Sequence, residues 1–383
     1  MEAYFFATYT LFYRVAMALP FEDMALTFVP SLGQRGVVHL LEVFHSAEAV
    51  YAASEAELVE RAELRRDIAR AIVHRAGFAE AEREIAFCRK NSITPLASTD
   101  ERYPTLLRQA EDYPAVLYVM GEVAALSQRS VAFVGTRKMT PYGERATTEL
   151  VEGLAALVPD VNIVSGLAYG IDGAAHRAAV LSHLTSVGVI ANALPAIQPT
   201  THRNLAYEMI SRGGAVVTEL NSQTKQNGRY FIPRNRIIAA LSAGVVVVET
   251  PDTGGSLSTA AFAESYSRSV MAVPGRMTDA TSRGCNRLIS EHRARIILSA
   301  EDIADELKWE LTITQSATST PKDLRLSGEE ERFVALFANE PLSLDVLRER
   351  SGLTAGALSL MLMNLELSGV IRQLPGNKYE KLI

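Results

Sequence analysis

The sequence predicts an α/β protein whose central part is a doubly wound parallel sheet, with an all-helical region before it and a winged helix-turn-helix after it. Three observations support this prediction. Short Val- and Ile-rich runs alternate with helical patterns from residue 92 to about residue 300, which is typical of βαβ units. The first 90 residues show helical periodicity throughout. Three short helical patterns and a hairpin pattern occupy residues 327–383.

Residues 1–90 are predicted to form the helical domain. Apolar residues recur there at helical spacing, and charges alternate between Glu55 and Arg75. The turn Pro30–Gly33 fits a helix-hairpin-helix turn or, equally well, a plain helical packing module. Met1–Leu19 lacks a basic start and a cleavage site, so we interpret this apolar segment as a buried helix and not as a signal peptide.

Residues 91–310 are predicted to form the sheet domain. Val245–Val248 is apolar at every position, as expected for a strand that is buried on both faces. The strand-like runs are Val116–Met120, Val131–Gly135, Val161–Ser165, Thr185–Ala191, Ala215–Thr218, Val245–Glu249, Val270–Val273 and Arg295–Leu298. Residues 311–326 are rich in Thr, Ser and Pro and are predicted to be a linker.

Residues 327–383 are predicted to form the winged helix. Ser327 and Glu330 have the spacing of a capping box, and Thr354 can cap a third helix that runs to residue 368. That helix is the candidate recognition helix, yet it contains Glu366 and no Lys or Arg. Because reading a duplex requires donors for phosphates and base edges, we favour a protein-interaction role over DNA reading for this domain.

The charge is unevenly distributed along the chain. The net charge of −6 argues against a uniformly basic nucleic-acid binder. Residues 130–300, however, contain 16 basic and 12 acidic side chains, a balance of +4, whereas residues 1–129 (13 and 18) and 301–383 (9 and 14) each have −5. The two Cys form no CxxC pair, which argues against a zinc ribbon or a disulfide framework. The sequence contains no run of about 18 apolar residues, so no membrane span is expected. We expect a cytoplasmic protein.

Two Gly-containing turns follow strands of the predicted sheet, where open α/β sheets bind ligands. Gly135 and Arg137 follow the run that begins at Val131, and they offer close backbone approach and a fork of donors to an anion. Ser165–Asp172 follows the next run, with Gly166 and Gly170 spaced unlike a dinucleotide-binding fingerprint. His176 lies one turn after Asp172, and we favour a structural pair over a catalytic or metal pair.

Two more turns continue this pattern. Arg234, Asn235 and Arg236 occupy the predicted first turn of a helix, where cations oppose the helix dipole unless an anion binds there. Phe231 adds an aromatic face suited to stacking bases. The alternative is that both Arg merely pair with Glu219 and Glu249. The fourth turn includes Gly255 and Ser256, which suit an anion, but it lacks the Lys of a P-loop.

Six blocks in this order resemble the DNA processing protein A family, also called Smf. They are VGTR (134–137), SGLAYGIDGAAH (165–176), FIPRNRIIAALS (231–242), VVVET with GGSLSTA (246–260), AVPG (272–275) and SRGCNRLI (282–289). The resemblance covers about residues 95–300. It implies an extended Rossmann-like domain, an N-terminal domain like a sterile alpha motif, and a C-terminal winged helix.

The resemblance also implies a function. The family binds single-stranded DNA, protects incoming strands in natural transformation, loads the RecA recombinase, and forms homodimers through the Rossmann-like domain, without enzymatic activity or a cofactor. A basic residue expected near Thr200 is missing, and Arg203 is the candidate replacement. The candidate DNA-binding residues are Gly135, Arg137, Ser165, Gly166, Gly170, Arg203, Phe231, Arg234, Asn235, Arg236, Gly255 and Ser256.

Two enzymatic alternatives stay open at this point. A nucleotide-processing enzyme of the phosphoribohydrolase kind would use the turn at Gly254 and Gly255 together with Glu264 and Arg268. An oxidoreductase is disfavoured because no dinucleotide-binding fingerprint is present.

Overall fold

A computed structural model describes residues 20–310, 328–337, 341–367, 370–374 and 378–381. The chain divides into two compact units, the first ending at Ile313 and the second beginning at Thr314. The predicted helix within residues 1–19 and the predicted linker 311–326 lie outside the described residues.

The first unit begins with six short helices. They are α1 (Phe21–Thr27), α2 (Gly33–Phe44), α3 (Ala47–Ala52), α4 (Glu55–Ala62), α5 (Arg66–Val73) and α6 (Phe78–Lys90). A capping box of Ser54 and Glu57 starts α4. Gly77 precedes α6 with a φ of +92°, and a Cβ there would lie 2.1 Å from the carbonyl oxygen of Ala25. Glycine therefore lets α6 start directly against α1.

Strands and helices then alternate. They are β1 (Thr94–Ala97), α7 (Thr105–Arg108), β2 (Val116–Gly121), β3 (Ser130–Val134), α8 (Pro141–Leu157), β4 (Asn162–Ser165), α9 (Ile171–Leu181), β5 (Thr185–Val189), α10 (Arg203–Ser211), β6 (Ala215–Thr218), α11 (Phe231–Ala240), β7 (Gly244–Val247), α12 (Ser256–Ser265), β8 (Ser269–Ala272), α13 (Arg283–Ser290), β9 (Arg295–Ile296) and α14 (Ala300–Glu306).

These nine described strands form one sheet in the order β1-β2-β6-β5-β4-β3-β7-β8-β9. Every neighbouring pair in the series β6-β5-β4-β3-β7-β8-β9 is parallel, so the predicted doubly wound α/β class is confirmed. β1 was not predicted, and β1 and β2 extend the sheet as antiparallel strands. From β3 the chain continues through β4, β5 and β6 on one side of the sheet, and from β7 it continues through β8 and β9 on the other side. The topological switch point therefore lies between the carboxyl ends of these two strands.

Helices cover both faces of the sheet. Val131 and Phe133 of β3 pack with α8, α9 and α14, whereas Ala132 and Val134 pack on the opposite face with α11, α12 and α13. Successive side chains of a strand point to opposite faces, so an uninterrupted apolar run produces two cores.

The N-terminal helices share a core with one end of this sheet. Met24 of α1 and Ala81 and Cys88 of α6 are buried together with Tyr118 of β2 and Val216 of β6. A second cluster lies mostly within α1 to α5 and their connecting turns. The helical region thus belongs to the first compact unit, and a domain boundary at residue 90 stays a prediction.

The second unit is a winged helix, as predicted. Its elements are α15 (Gly328–Val334), β10 (Leu342–Ser343), α16 (Leu344–Ser351), α17 (Ala355–Leu367), β11 (Ile371–Leu374) and β12 (Lys378–Lys381). The strands form a sheet in the order β10-β12-β11. Phe333, Phe337, Leu347, Leu358 and Leu362 form part of its core. The predicted cap Ser327 and the hairpin turn 375–377 lie outside the described residues.

Within the described ranges, no helix is long and apolar enough to cross a membrane. The same part of the chain contains no group of three or more His, Cys, Asp or Glu side chains arranged to hold a metal ion.

Candidate nucleic-acid interface

The turn after β3 presents Arg137 at the switch point. The Thr136 amide donates to the carbonyl of Glu249 (2.7 Å), and the Thr136 carbonyl accepts from the Ile171 amide (3.2 Å). Gly170 has a φ of +75°, and a Cβ there would lie 2.1 Å from the carbonyl oxygen of Thr136. The two predicted turns therefore pack directly against each other, and only glycine fits at their contact.

Arg137 stacks on an aromatic ring and has no other bonded partner among the described residues. Its side chain is exposed, and its guanidinium carbon lies 4.6 Å from the ring centroid of Phe231. It forms no hydrogen bond or ion pair with any described residue. Phe231 is 37% exposed, so ring and guanidinium form a cationic, planar surface open to solvent. Such a surface suits both a base and a phosphate.

Arg234 lies beneath this surface. It is only 6% exposed, and its Nη1 donates to the carbonyls of Gly166 (2.7 Å) and Val189. A Cβ at Gly166 would lie 2.6 Å from both Nη atoms of Arg234 and from Oδ2 of Asp172. Gly166 therefore allows a buried Arg and a buried Asp to approach the same turn. Ser165 is also buried and donates to the carbonyl of Phe133 (2.6 Å).

Burial shifts the pKa values of Arg234 and Asp172. Desolvation lowers the pKa of Arg234 to about 10, and the nearby Asp172 opposes that change. Desolvation likewise raises the pKa of Asp172, against the opposing effect of Arg234. Arg234 is therefore charged at neutral pH, with Nη1 committed to carbonyl oxygens of the protein. It contributes positive potential and holds the turn in place.

Because α11 begins at Phe231, Asn235 and Arg236 lie in its second turn and not in its first turn as predicted; Asn235 connects this helix to the Gly-rich turn before α12. Its Nδ2 donates to Oγ of Ser258 (3.0 Å) and to the carbonyl of Gly255 (3.3 Å). Its Oδ1 accepts from Nε of Arg234 (3.1 Å). Ser256, the first residue of α12, has a buried Oγ without a hydrogen-bond partner in the described chain. The third and fourth predicted turns are thus brought together.

Arg236 is engaged inside the protein. It is 8% exposed, its Nη2 pairs with Glu219, and its Nη1 donates to the carbonyl of Asp112 (2.5 Å). Its Nε lies 3.7 Å from the Asp112 carboxylate. The pairing with Glu219 matches the structural alternative considered from the sequence. Glu249 pairs with neither Arg, because its two carboxylate oxygens accept from Thr140 and Thr281.

Arg203 extends the exposed basic surface along the same edge. It begins α10, is exposed, and forms no hydrogen bond or ion pair with the described residues. The preceding His202 is buried, hydrogen-bonds to the Leu167 carbonyl (3.0 Å) and packs against Tyr169 with ring centroids 5.4 Å apart. Tyr169 is 49% exposed and was not singled out from the sequence. The sequence signal that could have identified Tyr169 is its position inside the Gly166–Gly170 turn.

The surroundings of His176 indicate that it supports the fold. It is fully buried, and its Nδ1 lies 2.7 Å from Oγ of Ser186. Burial lowers its pKa to about 3, so the ring is neutral at physiological pH. Its Nδ1 hydrogen bond is to Ser186, so the predicted pairing with Asp172 is wrong, and we assign His176 no chemistry.

Comparison with known proteins decides the family. Residues 94–308, more than half of the chain, match the model of the DNA recombination-mediator protein A family. The chain belongs to that family. Residues 316–377 match the DprA winged helix domain. The resemblance inferred from the six sequence blocks is confirmed.

Individual relatives agree with this assignment. Protein Smf of Escherichia coli strain K12 is 34% identical over 312 residues, which cover 78% of this chain and 83% of that protein. DNA processing protein DprA of Bacillus subtilis is 38% identical over 226 residues, which cover 59% and 75%.

Two solved structures of family members resemble this fold. DNA processing protein A from Streptococcus pneumoniae superimposes with a TM-score of 0.66 at 27% identity, covering 75% of this chain and 97% of that one. DNA processing protein A from Helicobacter pylori, described by its single-stranded DNA binding mode, has a TM-score of 0.50 at 27% identity, with 56% and 95% covered.

The residues required by the hydrolase alternative are not assembled at the Gly-rich turn. Glu264 accepts two hydrogen bonds from Arg293 (2.8 and 2.9 Å). Arg268 donates to the carbonyl of Leu106 and to Gln109. Glu264 is near the opposite end of α12 from Gly255, about 13 Å away along the helix axis at 1.5 Å per residue.

Proposed function

We propose that this protein binds single-stranded DNA along the carboxyl edge of its sheet. The observation that supports this most directly is the exposed Arg137 guanidinium stacked on Phe231 at the switch point. Arg203 and the ring of Tyr169 continue this surface, whereas Arg234, Asn235 and Arg236 support it from below. Bases would stack on the rings while phosphates lie over the free guanidinium groups, so binding should tolerate any sequence and weaken with salt.

The glycines fix the shape of the turns at this edge. Gly135, Gly166 and Gly170 let the turns after β3 and β4 pack closely against Ile171, Arg234 and Arg137, which would hold the backbone amides of these turns in place for a phosphate. Gly255, just before α12, has open space where a Cβ would lie, so a phosphate could approach its backbone, and the neighbouring Ser256 Oγ is buried without a hydrogen-bond partner among the described residues. These residues would bind the backbone of the strand and not read its sequence.

We further propose that the protein protects incoming strands in natural transformation and loads the RecA recombinase on them. Membership in the recombination-mediator family supports this role. The winged helix would dock a protein partner, because its helix α17 contains no Lys or Arg. We propose a cytoplasmic location, where the recombinase acts.

We propose a homodimer formed through the Rossmann-like domain. Among the described strands, β9 pairs only with β8, and Ile296 in β9 and Leu298 just after it are 46% and 75% exposed. Substitution of Leu298 by Glu should lower the mass measured by sedimentation toward that of a monomer. An unchanged dimer mass would exclude this edge as the interface.

We propose no enzymatic activity and no cofactor. The test is a salt series of gel shifts with single- and double-stranded oligonucleotides, combined with an assay for release of free base from a nucleoside monophosphate. We expect a preference for the single strand, binding that weakens with salt, and no base release. A lack of single-strand preference would contradict the DNA-binding proposal, and base release would support the hydrolase alternative.

A further inference from the structure

The segment between β6 and α11 is basic, exposed and so far without a role. We call residues 221–230 the basic loop. It contains Lys225 and Arg229 and no Asp or Glu. Both cations are exposed, and Lys225 forms no hydrogen bond or ion pair with any described residue. The loop ends directly at Phe231, whose ring contacts Arg137.

A buried carboxylate from the helical region fixes the start of the basic loop. Glu84 of α6 is 1% exposed, and its two oxygens accept from the amide (2.8 Å) and the hydroxyl (2.5 Å) of Ser222. The side chain of Asn221 then accepts from Gln223 and Thr224 in a local turn. A buried carboxylate is costly unless its oxygens are hydrogen-bonded. The two hydrogen bonds from Ser222 to Glu84 therefore stabilise this position of the loop.

The end of the basic loop is also ordered by specific contacts. Oδ1 of Asn227 accepts from the amide of Arg229 (3.0 Å). The Arg229 guanidinium lies 4.9 Å from the ring centroid of Tyr230 and donates to its hydroxyl (2.7 Å). A second stacked Arg and aromatic pair therefore lies next in sequence to the Arg137–Phe231 pair.

We infer that the basic loop is a second binding segment for the same DNA single strand, and that Glu84 is the positioning residue that holds it. This inference rests on the proposed function. Lys225 and Arg229 would contact phosphates beyond those at Arg137. Lys225 is six residues from Phe231, so at full extension the loop reaches no more than about 20 Å from the first site. A loop already ordered by Glu84 loses less conformational entropy when the strand binds.

The first test removes the two loop cations. Each phosphate contact to a single strand contributes about 0.7 to the slope of log K against log salt. Lys225→Ser combined with Arg229→Ser should therefore flatten the slope by about 1.4 and weaken binding of a long oligonucleotide roughly 25-fold at 0.1 M salt. The same variant should lose much less affinity for a short oligonucleotide that occupies only the Arg137 site.

The matched control removes two exposed cations from the helical region, Arg35→Ser with Arg66→Ser, which changes the net charge equally. We expect this control to leave the slope close to that of the unchanged protein. If the loop variant and the control have the same slope and affinity, the inference is wrong. If the unchanged protein itself fails to bind single strands, the proposed function fails instead.

The second test concerns positioning by Glu84. Ser222→Ala removes one hydrogen bond to Glu84 without altering the charge, and Ser222→Thr keeps the hydroxyl. We expect Ser222→Ala to weaken binding roughly 2- to 10-fold, the equivalent of one hydrogen bond, and Ser222→Thr to restore it. In the background of Lys225→Ser with Arg229→Ser, Ser222→Ala should have no effect. Equal losses in both backgrounds would show a merely structural contact and overturn the positioning role.

Discussion

At the scale of single residues, the candidate site separates into exposed Arg side chains that can reach DNA and buried ones that hold the fold. The sequence places Arg137, Arg203, Arg234 and Arg236 at strand ends or helix starts but does not distinguish them. Arg137 and Arg203 are exposed and free among the described residues. Arg234 and Arg236 are buried and bonded to protein groups. The difference depends on tertiary partners such as the Gly166 carbonyl and Glu219, which come from other parts of the sequence and which local patterns around the Arg residues do not indicate.

This separation predicts different stabilities for two otherwise similar variants. Arg234→Ala should lower the free energy of unfolding by about 3–5 kcal/mol, because it leaves the buried carbonyls of Gly166 and Val189 without their donor and removes the positive charge near the buried Asp172. Arg137→Ala should change it by no more than about 0.5 kcal/mol, since this side chain is exposed and bonded to no described residue. Denaturant unfolding measures both values. Equal stabilities would contradict the structural role of Arg234, and only Arg137→Ala reports cleanly on DNA binding.

At the scale of elements, most of the sheet could be predicted because apolar runs and intervening helical patterns specify it locally. The run Val245–Val248 indicated the central strand β7, and α17 was predicted at residues 354–368 and lies at Ala355–Leu367. β1 was missed because Thr94–Ala97 is short and includes Pro95. Its strand geometry depends on antiparallel pairing with β2, which the sequence does not indicate.

The contact between α1 and the segment after β1 should make stability depend on pH. Asp23 of α1 is buried and accepts a hydrogen bond from Thr99 (3.0 Å). Burial raises the pKa of Asp23 to about 6 from its usual 3.8. The folded state therefore holds a proton that the unfolded state has released, and stability contributed by the neutral form is lost as the pH rises from about 4 to above 6.

Asp23→Asn removes this ionisation and can still accept from Thr99. We expect the variant to be more stable than the unchanged protein at pH 8, by up to about 3 kcal/mol, with the difference shrinking toward pH 4. Thermal unfolding at a series of pH values measures it. A difference that is constant with pH would show that the Asp23 carboxyl does not titrate as described.

At the scale of the whole molecule, charge is distributed unevenly along the chain. The net charge of −6 hides the balance of +4 in residues 130–300, which lie between two acidic segments. The exposed Arg137 and Arg203 belong to the first unit, whereas α17 of the second unit contains no Lys or Arg. The total charge of the chain is therefore a poor guide to its ligand, and the local distribution is a better one.

Removal of residues 314–383 should leave binding to single-stranded DNA nearly unchanged, within about threefold, because all candidate DNA contacts lie in the first unit. Anisotropy titrations of the full chain and the truncated chain at the same salt concentration measure this. A loss of more than about tenfold, which is 1.4 kcal/mol, would assign a DNA contact to the winged helix.

The most direct test of the account is the affinity for a single-stranded oligonucleotide of a variant with both Arg137→Ser and Arg203→Ser. The control is Arg35→Ser with Arg66→Ser, which has the same net charge. At about 0.7 in slope per phosphate, we expect the site variant to bind roughly 25-fold more weakly at 0.1 M salt and the control to bind like the unchanged protein. Equal affinities of site variant and control, with both folded, would contradict the claim that the carboxyl edge of the sheet binds the strand.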